Sequence, residues 1–133
     1  VRKTDAQVMF TLRNGGAWTA PAPVPDAFTN DPAALASASG NGAVLAFRGT
    51  NAMLYTTTYT PGANPPWSAP KAFGASTEAA PALATGIGGA EAEMVFVSGG
   101  AVKHARLTAG VWSAASPVGG VAIAGVALAT FSP

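Results

Sequence analysis

The sequence has 133 residues, of which 49% are hydrophobic, and this is enough apolar material for one domain with a buried core. Seven Lys and Arg residues oppose six Asp and Glu residues, and the scattered basic residues argue against a nucleic acid or an anionic membrane as the main partner. The absence of Cys excludes a disulfide framework and a thiolate zinc site, and no apolar stretch reaches the ~20 residues of a membrane span.

The predicted elements are short strands separated by turns rich in Gly, Pro and Asn. Residues 1–28 hold the later part of a unit and end with a strand that contains Trp18. The next unit is whole and covers residues 29–74. Its four predicted strands lie around Leu35, over residues 44–48, over residues 53–60 and around Trp67.

A second whole unit covers residues 75–120 and has the same order, with a glycine hairpin turn over residues 86–89 and a last strand that contains Trp112. Residues 121–133 hold only the opening strand of another unit, over residues 126–130. No segment has an apolar period of 3.6 residues, so the sequence predicts no helix.

Three markers recur in the same order and establish an internal repeat. The tryptophans are spaced by 49 and 45 residues, and an Ala-Leu-Ala triplet around Leu35, Leu83 and Leu128 is spaced by 48 and 45. The third marker, which precedes each Trp, is clearest in Phe47-Arg48-Gly49-Thr50-Asn51-Ala52. Four strands at a period near 46 predict the blades of a β-propeller.

The composition of the strands predicts their order within a blade. The small residues of the Ala-Leu-Ala strand fit the innermost position, where blades crowd together, and each Trp is expected on the outermost strand, packed between blades. About three blades are too few for a closed ring of four to eight. We therefore expect another chain to complete the ring, either a second copy, giving six blades, or a sister fragment of the same precursor.

Residues with catalytic or metal-binding chemistry are sparse. His104 has no second ligand near it in sequence and is expected to be a solvated strand residue, so no metal site is predicted. Glu91 and Glu93 alternate on one strand and are the only candidate acid/base pair, and no Ser, His and Asp set indicates a triad. The sequence therefore predicts a protein without catalytic residues, cofactor or metal.

Aromatic and polar residues that recur at the blade spacing are the candidates for ligand binding. An aromatic ring can cover the C–H face of a sugar while polar groups bond its hydroxyls. The predicted ligand-binding residues are Trp18, Trp67, Trp112, Arg2, Arg48, Asp5, Asn51 and Tyr55. The alternative is structural: each Trp is a wedge between blades, and each Arg braces a turn.

The stretch from Phe47 to Tyr55, followed by Trp67 and Phe73-Gly74, resembles the repeats of bacterial fucose-binding propeller lectins. The first unit keeps Arg2, Thr4, Asp5 and Trp18 of that pattern, and the third keeps Trp112 and Gly119-Gly120. The resemblance implies a secreted or cell-surface bacterial protein that binds glycans in pockets between blades, with multivalent sites that gain strength through avidity.

Two other functions remain open. The chain can be a structural or protein-interaction propeller segment of a larger secreted protein that proteolysis releases. It can also be the non-catalytic part of a processed hydrolase. The opening Val1-Arg2-Lys3, without an initiator Met, leads us to expect a longer precursor in either case.

Overall fold

The computed structural model describes residues 5–121 and 125–129. About 53% of these residues lie in β-strands, every strand pair is antiparallel, and these two ranges contain no helix. The predictions of an all-β fold and of no helix are therefore confirmed. The strands form where Val, Phe, Tyr and Thr are frequent, because branched and aromatic side chains pack well on a pleated surface.

Thirteen strands are formed over the described ranges, and all are short. They are β1 (Gln7–Phe10), β2 (Arg13–Asn14), β3 (Ala17–Trp18), β4 (Ala22–Phe28), β5 (Ala34–Ser37), β6 (Ala43–Arg48), β7 (Met53–Tyr59), β8 (Lys71–Ser76), β9 (Ala82–Thr85), β10 (Ala92–Ser98), β11 (Ala101–Thr108), β12 (Val111–Trp112) and β13 (Ser116–Val121).

The strands form three successive antiparallel groups. The first sheet consists of β1 and β4, with the hairpin β2–β3 between them in sequence. The second sheet has the order β5-β6-β7-β8. The third sheet has the order β9-β10-β11, and both β12 and β13 pair with the outer edge of β11. No sheet closes on itself within the described residues, so the predicted ring of blades stays a prediction.

The prediction that each Trp lies on an outermost strand holds for Trp112, which lies on β12 at the edge of the third sheet, but not for Trp67, which lies outside the strands and forms a single bridge. Trp18 lies in the separate β2–β3 hairpin. Each Trp pairs with the end of the third strand or its continuation: Trp18 with Arg13, Trp67 with Tyr59, and Trp112 with Leu107. The outer strand begins four residues after each Trp, at residues 22, 71 and 116. The Trp marker locates the repeat in the sequence. It does not show which residues of the segment that follows the third strand pair with that strand.

The hydroxyl residue that follows each Trp explains part of the repeated motif. Thr19 Oγ1, Ser68 Oγ and Ser113 Oγ each accept a hydrogen bond from a main-chain N–H, at 2.9, 3.1 and 3.1 Å. The donors are Leu12, which lies between β1 and β2, Thr58 on β7 and Arg106 on β11. The backbone N–H of each hydroxyl residue donates back to the carbonyl of the same donor residue. The hydroxyl side chain therefore holds the segment after each Trp against the third strand or its continuation, at a point where regular backbone pairing is interrupted.

Two apolar cores fill the spaces between the sheets. Alternate residues of β6 face opposite ways, because successive side chains of a strand point to opposite faces. Val44 and Ala46 belong to the core shared with the third sheet, whereas Leu45 and Phe47 belong to the core shared with the first. The second sheet is thus packed on both faces.

The innermost strands of the second and third sheets lie side by side. Ser37 Oγ on β5 is 2.8 Å from Thr85 Oγ1 on β9, and small residues dominate both strands. The predicted opening strand of a further unit falls on residues 126–130. Residues 125–129 carry no assigned strand, and Thr130 lies outside the described ranges.

Candidate functional site

A cleft of about 350 Å³ lies between the first and second sheets, and we call it the first cleft. Its lining residues come from the outer strand of the first sheet, the turn between β6 and β7, the strand segments beside that turn, and the segment just before β8. They are Asp26, Phe28, Phe47, Gly49, Thr50, Asn51, Tyr55 and Pro70. Two predicted ligand-binding residues, Asn51 and Tyr55, therefore meet in one cleft.

The β6–β7 turn positions the polar groups of the first cleft. Gly49 N–H donates to the carbonyl of Met53, and the side-chain oxygen of Asn51 accepts a bond from Met53 N–H at 3.2 Å. Asn51 Nδ2 donates to Tyr55 Oη at 3.0 Å. A Cβ on Gly49 would lie 2.6 Å from the Tyr55 ring, so the glycine is required for the tyrosine to pack on the turn.

Two stacked rings form the aromatic surface of the first cleft. The centroids of Phe47 and Tyr55 are 5.6 Å apart with an interplanar angle of 17°. Phe47 is buried and supports the half-buried Tyr55 ring from behind. Beside them, Asp26 supplies a carboxylate and Asn51 an amide, so the cleft combines an apolar surface with groups that bond hydroxyls.

A second cleft of about 360 Å³ lies between the second and third sheets, and we call it the second cleft. Trp112 is half-buried there and makes an edge contact with Phe73, with centroids 6.1 Å apart. The residues that line the second cleft are Thr56, Thr57, Thr58, Ser68, Lys71, Ala72, Phe73, Leu107, Gly110, Val111 and Trp112.

Hydroxyl groups form one wall of the second cleft. Thr57 Oγ1 donates to the carbonyl of Ser68 at 2.6 Å, and Thr58 Oγ1 donates to Ser68 Oγ at 3.2 Å. Ser68 Oγ also lies 3.1 Å from Thr57 Oγ1. The hydroxyls hold one another in place, while each oxygen can take part in more than one bond.

The other predicted site residues that the structure describes do not line these two clefts. Trp18 is 67% exposed on the β2–β3 hairpin, and Arg2 falls outside the described residues. Asp5 accepts a bond from Gln7 N–H at 3.2 Å, as Asn51 does from Met53, so the two are equivalent turn residues.

Arg48 and Trp67 have structural partners. Arg48 donates to the carbonyl of Thr77 at 2.8 Å and to Asp31 Oδ2 at 3.0 Å, so it joins the linker before the second sheet to the linker after it. Trp67 is 5% exposed, and its ring lies 5.6 Å from Phe10 of the first sheet and 5.3 Å from Tyr59. These contacts favour the structural alternative for both residues: Arg48 braces two linkers, and Trp67 is a wedge between two sheets.

A polar cluster on the third sheet was not found from the sequence. The Glu93 side chain is 5% exposed, with Oε2 2.6 Å from His104 Nε2 and Oε1 2.8 Å from Arg106 Nε. His104 is therefore paired and partly buried, and the expectation of a solvated strand residue without a neighbouring ligand is wrong. A two-residue turn at Gly99-Gly100 places Glu93 opposite Arg106, so a prediction of that turn would have revealed the pairing.

Glu91 does not join this cluster, because it lies in the turn before β10 and accepts a bond from Gly110 N–H at 3.2 Å. Over residues 5–121 and 125–129, no three His, Cys, Asp or Glu residues are grouped to hold a metal ion. In the same part of the chain, no helix has the length and apolar character needed to cross a membrane. The chain matches no protein-family model, and a search of the curated proteins finds no match.

Proposed function

We propose that this chain is a β-propeller segment that binds carbohydrate without catalysis in clefts between adjacent sheets. The observation that carries the proposal is the first cleft, in which the stacked Phe47 and Tyr55 lie beside Asn51 and Asp26. Aromatic surface with a few polar groups is the arrangement that binding sites for small polar organic molecules use. The sequence resemblance to fucose-binding propeller lectins supports the same ligand class.

Repeated packing between the sheets supports the propeller. Each Trp that faces a neighbouring sheet contacts an aromatic residue of that sheet: Trp67 contacts Phe10, and Trp112 contacts Phe73. The residue six positions after each Trp faces the following sheet, since Val24 shares a core with Trp67 and Phe73 contacts Trp112. At both junctions, therefore, a Trp of one sheet packs against the sheet that precedes it in the chain, as is expected of the blades of a propeller.

The two outer faces of the array support completion by further blades. The equivalent residues at these faces are Trp18, which is 67% exposed, and Val118, which is 60% exposed. Each is the kind of residue that is covered at the internal junctions. We infer that another chain, a second copy or a sister fragment, covers both faces and completes the ring.

The turn residues Asn51 and Asp5 offer a matched test of carbohydrate binding. Both accept a bond from the N–H two residues ahead at 3.2 Å, but only Asn51 lines the first cleft. A glycan array followed by a monosaccharide titration, monitored by NMR, is expected to show millimolar binding that shifts Tyr55. Asn51→Ala should weaken this binding about tenfold, and Asp5→Ala should leave it unchanged.

Two results would contradict the proposal. One is a glycan array without any bound saccharide, together with a titration that shifts no resonance of Tyr55 or Phe47. The other is equal weakening by Asn51→Ala and Asp5→Ala, which would assign the effect to the turn bonds rather than to the cleft.

A structural or protein-interaction segment is the second candidate, and the exposed Trp18 and Val118 favour it. In that case the outer faces dock partner blades, while the clefts bind no saccharide. Loss of partner association on Trp18→Ser, with an empty glycan array, would identify this function.

A further inference from the structure

Two aromatic side chains of the first junction have smaller counterparts at the second, and these two replacements border the second cleft, although Val24 of the first junction has the larger counterpart Phe73. Phe10 lies three residues before Arg13, the residue paired with Trp18, and Thr56 lies three residues before Tyr59, the residue paired with Trp67. Thr56 therefore holds in the second sheet the position of Phe10 in the first.

The second replacement concerns the residue that pairs with the Trp. Tyr59 pairs with Trp67, and Leu107 pairs with Trp112. At the first junction, Phe10 and Tyr59 both contact the Trp67 ring, at 5.6 and 5.3 Å. At the second junction Thr56 and Leu107 occupy these positions, and both line the open space beside Trp112.

The charge of the second cleft differs from that of the first. Among its lining residues the charged side chain is Lys71, whereas among those of the first cleft it is Asp26. Lys71 begins the outer strand β8, at the position held by Ala22 and Ser116 in the neighbouring units. Within the described residues the ammonium group of Lys71 has no ion pair, so it is free to bind an anionic group.

We propose that the second cleft binds saccharides that carry a carboxylate, such as a uronic acid. The ring of Trp112 covers the apolar face of the sugar, the hydroxyls of Thr58 and Ser68 bond its hydroxyl groups, and Lys71 binds the carboxylate. This inference rests on the proposed carbohydrate binding and names the ligand class of one of its sites. The carboxylate of Asp26 repels the same ligands at the first cleft.

The test compares galacturonic acid with galactose, which differ at the carboxylate, by NMR titration of the indole N–H of Trp112. We expect galacturonic acid to bind about tenfold more tightly, because hydrogen bonds to a charged group are stronger than neutral ones. This preference should decrease as salt is raised from roughly 50 to 500 mM, because Lys71 is exposed.

Three variants assign the preference to the cleft. Lys71→Gln is expected to make the two sugars bind equally, while Arg13→Gln, which removes the same charge from the β2–β3 hairpin, should leave the preference intact. Thr56→Phe should abolish binding of both sugars at Trp112, because it restores the side chain that fills the first junction. The first sheet has the smaller Val24 at the position of Phe73, so the unfolding midpoint of Thr56→Phe in urea checks that the larger pair of rings still allows the variant to fold.

The outcomes separate this inference from the function on which it rests. If saccharides shift Tyr55 in the first cleft but galacturonic acid gains nothing at Trp112, the inference is wrong and carbohydrate binding stands. An unchanged preference in Lys71→Gln also overturns it. If no saccharide shifts a resonance at either cleft, both the inference and the proposed function are wrong.

Discussion

Equivalent side chains in successive sheets of this protein make the same hydrogen bonds. The hydroxyl after each Trp holds the returning chain, and the turn residues Asp5 and Asn51 accept the same bond at 3.2 Å. The sequence motif of Trp followed by Ser or Thr was visible without a structure. The physical reason for the motif could not be seen in the sequence, because the N–H that bonds each hydroxyl lies 7 to 10 residues away in the chain.

The first residue-scale prediction concerns Ser68. Ser68→Ala removes the acceptor of Thr58 N–H and the partner of two threonine hydroxyls, so the free energy of unfolding should fall by about 1 kcal/mol. Urea denaturation measures the loss. Ser39→Ala, in an exposed turn, is the control and should change stability by less than about 0.5 kcal/mol. Equal effects of the two substitutions would contradict the assigned role.

A second prediction concerns the buried carboxylate of Glu93. The double variant His104→Phe/Arg106→Met leaves this carboxylate buried without a charged partner, and unfolding should become about 3 kcal/mol easier. Adding Glu93→Leu should restore most of the loss, because the second sheet has Val44 at the equivalent position. Thermal and urea unfolding of the three proteins test this. If the triple variant is no more stable than the double, the carboxylate is not the cause.

At the scale of elements, the turns decide the register and therefore which side chains meet. The β6–β7 turn has four residues and places Asn51 beside Tyr55, whereas the β10–β11 turn has two and places Glu93 opposite Arg106. The strands themselves were predictable from runs of branched and aromatic residues between glycines. The ends of the strands and the pairing of the Trp segments could not be predicted, because they depend on hydrogen bonds between strands rather than on local composition.

The element-scale prediction concerns Gly99 in the β10–β11 turn. Its φ is 62°, and a Cβ at this position would have no neighbouring atom within 4 Å, so a substitution there changes only the backbone energy. Gly99→Ala should lower the free energy of unfolding by about 1 kcal/mol, whereas Gly99→Asn should be nearly neutral because Asn tolerates this conformation. Chemical denaturation of both variants gives the comparison. An equal loss in both would show that the conformation of this residue does not limit stability.

At the scale of the whole molecule, both junctions between sheets pack a Trp against the preceding sheet, and Trp18 and Val118 are exposed at the two ends of the array. The repeat could be predicted from the Trp and Ala-Leu-Ala spacings, and the all-β class from short strand-like runs between turns together with the absence of a helical period. The two clefts could not, because each depends on residues far apart in sequence, such as Asp26 with Tyr55 or Lys71 with Trp112. Only the packing of neighbouring sheets shows that a Phe in one unit and a Thr in the next decide whether a junction is filled or open.

The prediction for the whole molecule is association through the outer faces. The mass measured by sedimentation is expected to exceed the 13.1 kDa of one chain, and Trp18→Ser should shift it towards one chain by removing an exposed indole from the face. Ile87→Ser, at an exposed turn residue, is the control and should leave the mass unchanged. A wild-type protein that sediments as one cooperatively folded chain would contradict the proposed ring.

The contact between Ser37 and Thr85 has a consequence for how such a protein diversifies. Because β5 and β9 meet through small side chains, with the two hydroxyl oxygens 2.8 Å apart, the distance between the second and third sheets is set at these strands, away from β8 and β12, which line the second cleft. Substitutions at outer positions then alter one junction without disturbing the rest of the array. In such an array the shape and charge of one cleft can change while those of the next are kept, as the Asp26 of the first cleft and the Lys71 of the second illustrate.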